Sequence, residues 1–293
     1  MGLSDYISEG VIREHCYRPI GRSVVQIGRQ TIELAPSQLR QLIVQYKLPL
    51  NGLEGEIEID RRTTQVRQTG ASFVSDRAFF SALGAAEIHA VDHSDFEGAD
   101  IVHDMNTPIG PSLEAIADLV VDGSTLDNVH DAATALMNYN RMLRPGGRVH
   151  SINAAKPNVH GAYTGTSLEW YLDYYTANQY ADCRVYAQLN FPTTQWSLPS
   201  GPVVILAMDY GWVLEHGRVP TLDHDGAIYA IVVAEKGPAS TWDRVPTRAQ
   251  FRTEAERAQW RAQIERFSAS RRTSHVTTMR TDFTPPPGFI LAI

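Results

Sequence analysis

Two cysteines in 293 residues, Cys16 and Cys183, are too few for a disulfide framework, and neither sits in a metal-ligand spacing. Long apolar runs are missing too: none reaches the ~18 residues that a membrane span needs. The opening stretch, Met1 to Arg13, carries acids and no continuous apolar segment, so it does not read as a secretory leader. Tyr6 stands where a myristoylation signal would have Ser or Thr. Excess positive charge is absent as well. With 26 basic against 33 acidic residues the net charge is −7, which argues against nucleic acid or an anionic membrane as the main partner. These absences lead to the expectation of a cytoplasmic chain with neither a nucleic-acid nor a membrane partner. There are no internal repeats. At 43% hydrophobic and 20% charged, the chain can bury a sizeable core as one large domain or one domain with additions.

What is present centres on Glu87 to Asn153. Three short apolar runs, Glu87–Val91, Ala117–Val121 and Arg148–Asn153, are separated by turn signals and a helical pattern, as expected of parallel strands in an α/β sheet. The first ends in Asp92 and the second in Asp122-Gly123. Acids just past strand ends sit at the carboxyl edge of such a sheet, where open α/β folds bind ligands. A carboxylate after the second strand suits a ribose, because it can accept hydrogen bonds from both vicinal hydroxyls. Ser124-x-x-Asp127 has the form of a capping box, and Leu126, Val129, Ala133, Leu136 or Met137, and Leu143 lay an apolar stripe along the helix expected to follow. Pro145-Gly146-Gly147 then stops that helix.

Val91-Asp92-x-Ser94, His103-Asp104-Met105-Asn106, Asp118–Gly123 and Arg141–Arg148, with its R-x-L-x-P-G-G element, resemble the consecutive motifs of class I S-adenosylmethionine-dependent methyltransferases. The resemblance covers residues 74 to 186 well, and 22 to 32 and 227 to 236 weakly. It implies a Rossmann-like α/β fold: a mostly parallel sheet whose last strand is antiparallel, with helices on both faces. S-adenosylmethionine is the implied cofactor. Gly28, after the strand candidate Ser23–Ile27, stands where the cofactor approaches the backbone; the family's glycine loop is here reduced to that one residue. The resemblance also sets Asp92 and His93 at the ribose, Asp104 and Met105 beside the adenine, and Asp122-Gly123 under the methionine end.

Around this unit the chain divides into an N-terminal arm (1–21), the α/β domain (22–236) with insertions at about 31–69 and 191–226, and a C-terminal helical extension (237–293). A helix from Ser37, a second from Ser75 to Leu83 capped by Ser75, an aromatic helix after Ser167 and a strand Ala227–Ala234 are expected. The apolar end Phe289–Leu291 is expected to pack on this chain or on a twin subunit, which makes a homo-oligomer through the extension one option. His160, in a loop at the active edge, is the candidate general base, weighed against an ordinary surface histidine. Trp170, Tyr171, Tyr174 and Tyr175 either line an acceptor pocket or belong to the core. His93 and His103 lack a third ligand, so no metal site is expected.

Two functions stay open: methyl transfer to the oxygen or nitrogen of a small molecule, or a methyltransferase-like fold that serves as a binding or assembly module. A nicotinamide enzyme is disfavoured by the missing G-x-G-x-x-G.

Overall fold

The computed structural model describes residues 2–156, 162–191, 203–270 and 282–292. The chain runs β1 (Gly2–Leu3), α1 (Asp5–Tyr17), β2 (Ser23–Ile27), β3 (Thr31–Ile32), α2 (Pro36–Gln45), α3 (Thr64–Thr69), α4 (Asp76–Ala82), β4 (Glu87–Asp92) and β5 (Ile101–Val102). It continues with β6 (Ala117–Gly123), α5 (Ala132–Met142), β7 (Leu143–Ala154), α6 (Leu168–Ala177), β8 (Asp182–Asn190), β9 (Val203–Met208), α7 (Tyr210–His216), β10 (Ala227–Glu235), α8 (Glu254–Ala269) and β11 (Phe289–Leu291).

Nine strands form one sheet in the order β11-β9-β8-β10-β7-β6-β2-β4-β5. Neighbours from β5 to β7 are parallel, and β10 lies antiparallel to both β7 and β8. The sheet is Rossmann-like, parallel through its centre, with β10 and β9 running against the other strands. Every residue of β2 is buried, as befits a central strand covered on both faces. Alternate side chains enter two separate cores. Val24, Leu119, Val121 and Val233 pack with α1, α2 and α4, whereas Val25, Val120, Val149 and Val232 pack with α5, α6, α7 and α8. Among the described residues no helix is long and apolar enough to cross a membrane.

Local chemistry explains most element boundaries. Ser75 Oγ accepts from Ala78 N at 3.0 Å and starts α4 as expected. In the Pro-Gly-Gly turn, a Cβ on Gly147 would lie 2.9 Å from Arg144 O and 3.1 Å from Ala117 O, so the chain can pass β6 there only without a side chain. The expected capping box after Asp122 does not form. Leu126–Asn128 is a short 3-10 turn, and α5 begins later, at Ala132, with Asp131 Oδ1 accepting from Thr134 N at 2.9 Å. Asp127 is drawn inward instead, where its Oδ2 accepts from Ala154 N at 2.8 Å.

The N-terminal arm is mostly the helix α1, tied to the sheet by one buried cation. Arg148 on β7 donates to Glu14 Oε2 at 2.9 Å and to Glu14 O, Arg18 O and Pro19 O, closing a pair that is 2% exposed on each side. The apolar run inside the second insertion becomes β9 and widens the sheet beyond β8. The C-terminal Phe289–Leu291 returns as an edge strand on β9, with Phe289 buried in the core of this same chain. Helix α8 opens with a full capping box between Thr253 and Glu256, and Trp260 Nε1 donates to Asp173 of α6 at 2.9 Å.

Candidate functional site

The parallel strands end along one rim of the sheet, and most of the sequence-derived residues gather there. At the end of β2, Gly28 has φ +68° and donates its N–H to Val91 O at 2.7 Å, which draws the ends of β2 and β4 together. A Cβ built on Gly28 would lie 4.0 Å from Asp92 Oδ2, so glycine and carboxylate are neighbours. The Asp92 side chain is 23% exposed. Its Oδ1 accepts from His93 N at 2.7 Å and contacts His93 Nδ1 at 2.8 Å, while Oδ2 is the oxygen nearer Gly28. His93 itself is largely in solvent and acts on the carboxylate rather than on the cleft floor.

Asp104 is exposed at the same rim. Its carboxyl sits below the usual range because Asn106 donates both its backbone N–H and its side-chain amide to Oδ1, at 2.9 and 2.7 Å. Met105, expected beside an adenine, points the other way: it is 4% exposed and belongs to the core under α5. Physically, the Asp104–Thr107 turn alternates faces, and the apolar side chain takes the inward one.

Asp122 also departs from expectation. It is fully buried, accepts from Thr125 N at 2.5 Å and Asn153 Nδ2 at 2.7 Å, and lies near Asp127. Burial pushes its carboxyl up to about 7, against the pull of those hydrogen bonds. Such a group knits β6 to β7 and presents no oxygen to a ligand. Gly123 is covered as well, since a Cβ there would meet Leu3 Cδ2 at 2.7 Å, Gln30 Oε1 at 3.2 Å and Ile152 Cγ2 at 3.3 Å.

Two residues that sequence reasoning passed over complete this half of the rim. Gln30 Nε2 donates to Ile27 O at 2.8 Å and Gly28 O at 3.1 Å, and Thr125 Oγ1 donates to Ile27 O at 2.7 Å. Thr125 Oγ1 also stands 3.0 Å from the Gly28 Cβ position. The available signal was the short polar side chain within reach of each strand end, but nothing local says that both turn back onto the same carbonyl.

Further along the rim an open cleft of about 270 Å³ lies beyond the ends of β6, β7 and β8. Gly123, Ser124 and Ile152 form one side of it, and Gln188, Asn190 and Tyr229 another. Ser4 and Tyr6, at the start of α1, and Glu33 and Gln65, from the first insertion, line the rest. Burial raises the phenols of Tyr6 and Tyr229, so both stay neutral hydroxyls.

The candidate base His160 lies outside the described residues. The aromatic helix resolves toward the core: Tyr171, Tyr174 and Tyr175 are buried, and Tyr171 OH pairs with Thr166 Oγ1 at 2.8 Å. No group of three or more His, Cys, Asp or Glu side chains that could hold a metal occurs among the described residues.

No family model and no curated protein matches the chain. Several solved structures share its general shape at low similarity. A SAM-dependent methyltransferase from Thermotoga maritima is 15% identical over 80% of this chain and 90% of its own, with a TM-score of 0.37. The 1,6-didemethyltoxoflavin N1-methyltransferase of Burkholderia thailandensis is 14% identical over 80% and 79%, with a TM-score of 0.31. A geranyl diphosphate methyltransferase in complex with SAM is 12% identical over 79% and 84%, with a TM-score of 0.37.

Proposed function

We propose that this chain is an S-adenosylmethionine-dependent methyltransferase acting on the oxygen or nitrogen of a small molecule. The observation that supports it most is the adjacency of Gly28 and a partly exposed Asp92 at the ends of neighbouring parallel strands, with an open cleft farther along the same rim. The fit to the cofactor is uneven. Gly28, Asp92 and His93 suit the ribose, and Asp104 stands exposed for the nucleoside side, whereas Met105 and Asp122 face inward and take no part. S-adenosylmethionine, when bound, supplies an activated methyl whose carbon–sulfur bond breaks as a bond to the acceptor atom forms, the acceptor's proton leaving to solvent or a nearby base. The chain's own work is to hold the nucleoside and to orient the acceptor, since alignment of the reacting groups is a large part of such a barrier. His160 remains our candidate for taking that proton.

Calorimetric titration with S-adenosylhomocysteine tests this directly. Saturable heat with the wild-type protein, weakened by about ten-fold or more in Asp92→Ala, is expected, because hydrogen bonds to a charged group contribute about 1.5–3 kcal/mol. Folded protein that gives no heat at high micromolar ligand sinks the proposal.

A second reading, a non-catalytic binding or assembly module on the same fold, is favoured by one specific observation. Gln30, Thr125 and Leu3 pack their own atoms beside Gly28 and over Gly123, where a cofactor's tail would need room. Retained S-adenosylhomocysteine binding in the wild type excludes it.

A further inference from the structure

We infer that the cleft beyond β6, β7 and β8 binds a hydroxylated amine, an amino sugar or amino alcohol about one ring in size, as the small-molecule acceptor; this rests on the methyl-transfer reading of the same rim. Size comes first. A cleft of about 270 Å³ is just below the ~300 Å³ lower bound usual for drug-sized ligands, so it seats about a single ring.

Charge comes next. Among the described residues of the lining, Glu33 is the one charged side chain, with no Lys, Arg or His beside it. Its Oε1 accepts from Gln65 Nε2 at 2.6 Å, and no ion pair to it forms among the described residues. A carboxylate without a cationic neighbour disfavours phosphates and carboxylates and attracts an ammonium group.

The hydrogen-bonding inventory points the same way. Gln188 is 2% exposed, its Nε2 donates to Asn190 Oδ1 at 2.7 Å, and its Oε1 has no partner. Buried polar atoms are nearly always satisfied, so an unpaired amide oxygen at a cleft wall calls for a donor from the ligand. Glu33 and Gln188 Oε1 both accept and cannot donate, and the neutral hydroxyls of Tyr6 and Tyr229 can do either. Glu33 and Gln188 Oε1 thus offer acceptors to an ammonium or hydroxyl, and the amides and hydroxyls of Asn190, Gln65 and Ser124 can meet further hydroxyls of either polarity.

The test uses the full chain and ligand-observed NMR with three probes of similar size: D-glucosamine, methyl glucoside and glucose 6-phosphate, each with and without S-adenosylhomocysteine. Glucosamine should bind best, methyl glucoside more weakly, and glucose 6-phosphate at least about ten-fold more weakly than glucosamine. Glu33→Gln should erase the preference for glucosamine over the glucoside, and Gln188→Ala should weaken both, with thermal unfolding of each variant near that of the wild type. If Glu33→Gln proves unstable, Gln65→Leu, which removes only the donor to Glu33, should keep the preference for glucosamine. Absence of glucosamine binding, equal or tighter binding of the phosphate, or folded variants that bind like the wild type would overturn the inference. Glucosamine binding as described without any S-adenosylhomocysteine binding sinks the methyl-transfer reading alone; the reverse pattern sinks the ligand class alone.

Discussion

The two halves of the strand-end rim obey different rules. Around Gly28, Asp122 and Gly123 the side chains close over the strand ends: Gln30 and Thr125 bond the Ile27 carbonyl, and Asp122 is closed in by Thr125 and Asn153. Around Glu33, Gln188 and Tyr229 the same rim is open, and Gln188 Oε1 there lacks a partner. Asp92 stands on the outer margin of the closed half, half-committed to His93. One sheet edge can thus hold a closed section whose side chains bond the strand ends and an open section whose polar groups face a cleft.

The largest way to break this contrast is Arg148→Ala. It leaves Glu14 buried without its cation and releases α1, which carries Ser4 and Tyr6 into the cleft wall. Loss of one partner of a buried pair costs about 3–5 kcal/mol, so urea unfolding should show a drop of that order, together with loss of ligand binding at the cleft.

Next comes pH. The folded state holds Asp122 up to about 7, whereas an unfolded aspartate titrates near its ordinary value of about 3.9. Between those values the native state binds the extra proton, so stability contributed by Asp122 is present below about pH 4 and is lost as pH rises to about 7. Asp122→Asn should flatten that part of the curve, read as the difference in urea midpoint between pH 5 and pH 8. An unchanged slope would mean that another group carries it.

A smaller effect sharpens the comparison from inside the closed half. Gln30→Ala removes two hydrogen bonds to main-chain carbonyls, one of which Thr125 still satisfies, and should cost about 1 kcal/mol. A thermal scan showing no loss would indicate that this packing is incidental. In the open half, Tyr229→Phe should change stability by no more than about 0.5 kcal/mol, because Tyr229 lines the cleft and no hydrogen bond of its hydroxyl occurs among the described residues. A larger loss would place Tyr229 in the framework and not in the wall.

Much of this was readable from the chain. Short apolar runs ended by acids marked β4 and β6, and Ser75 marked the start of α4, whereas Leu143 and the Pro-Gly-Gly turn, read as the end of a helix, already belong to β7. What hid was the direction in which a strand-end side chain turns. Asp92 and Asp122 look alike in sequence, yet one faces the rim and the other sinks between β6 and β7, because Asn153 on the neighbouring strand supplies a donor for it. Met105 was misplaced for the same reason. Helix α1 escaped notice because Glu14 breaks its apolar face, and the partner that makes such a burial tolerable lies 134 residues away, in Arg148. The outer strands β9 and β11 depend on pairing between distant segments, to which local pattern is blind.

The most direct measurement of the central claim is thermal unfolding of wild-type and Asp92→Ala proteins with and without 1 mM S-adenosylhomocysteine, since a ligand that binds only the native state raises its stability by RT ln(1 + [L]/Kd). The expected result is a clear upward shift of the midpoint for the wild type and little or none for Asp92→Ala. No shift in either protein, or an equal shift in both, would contradict a nucleoside seated against Asp92.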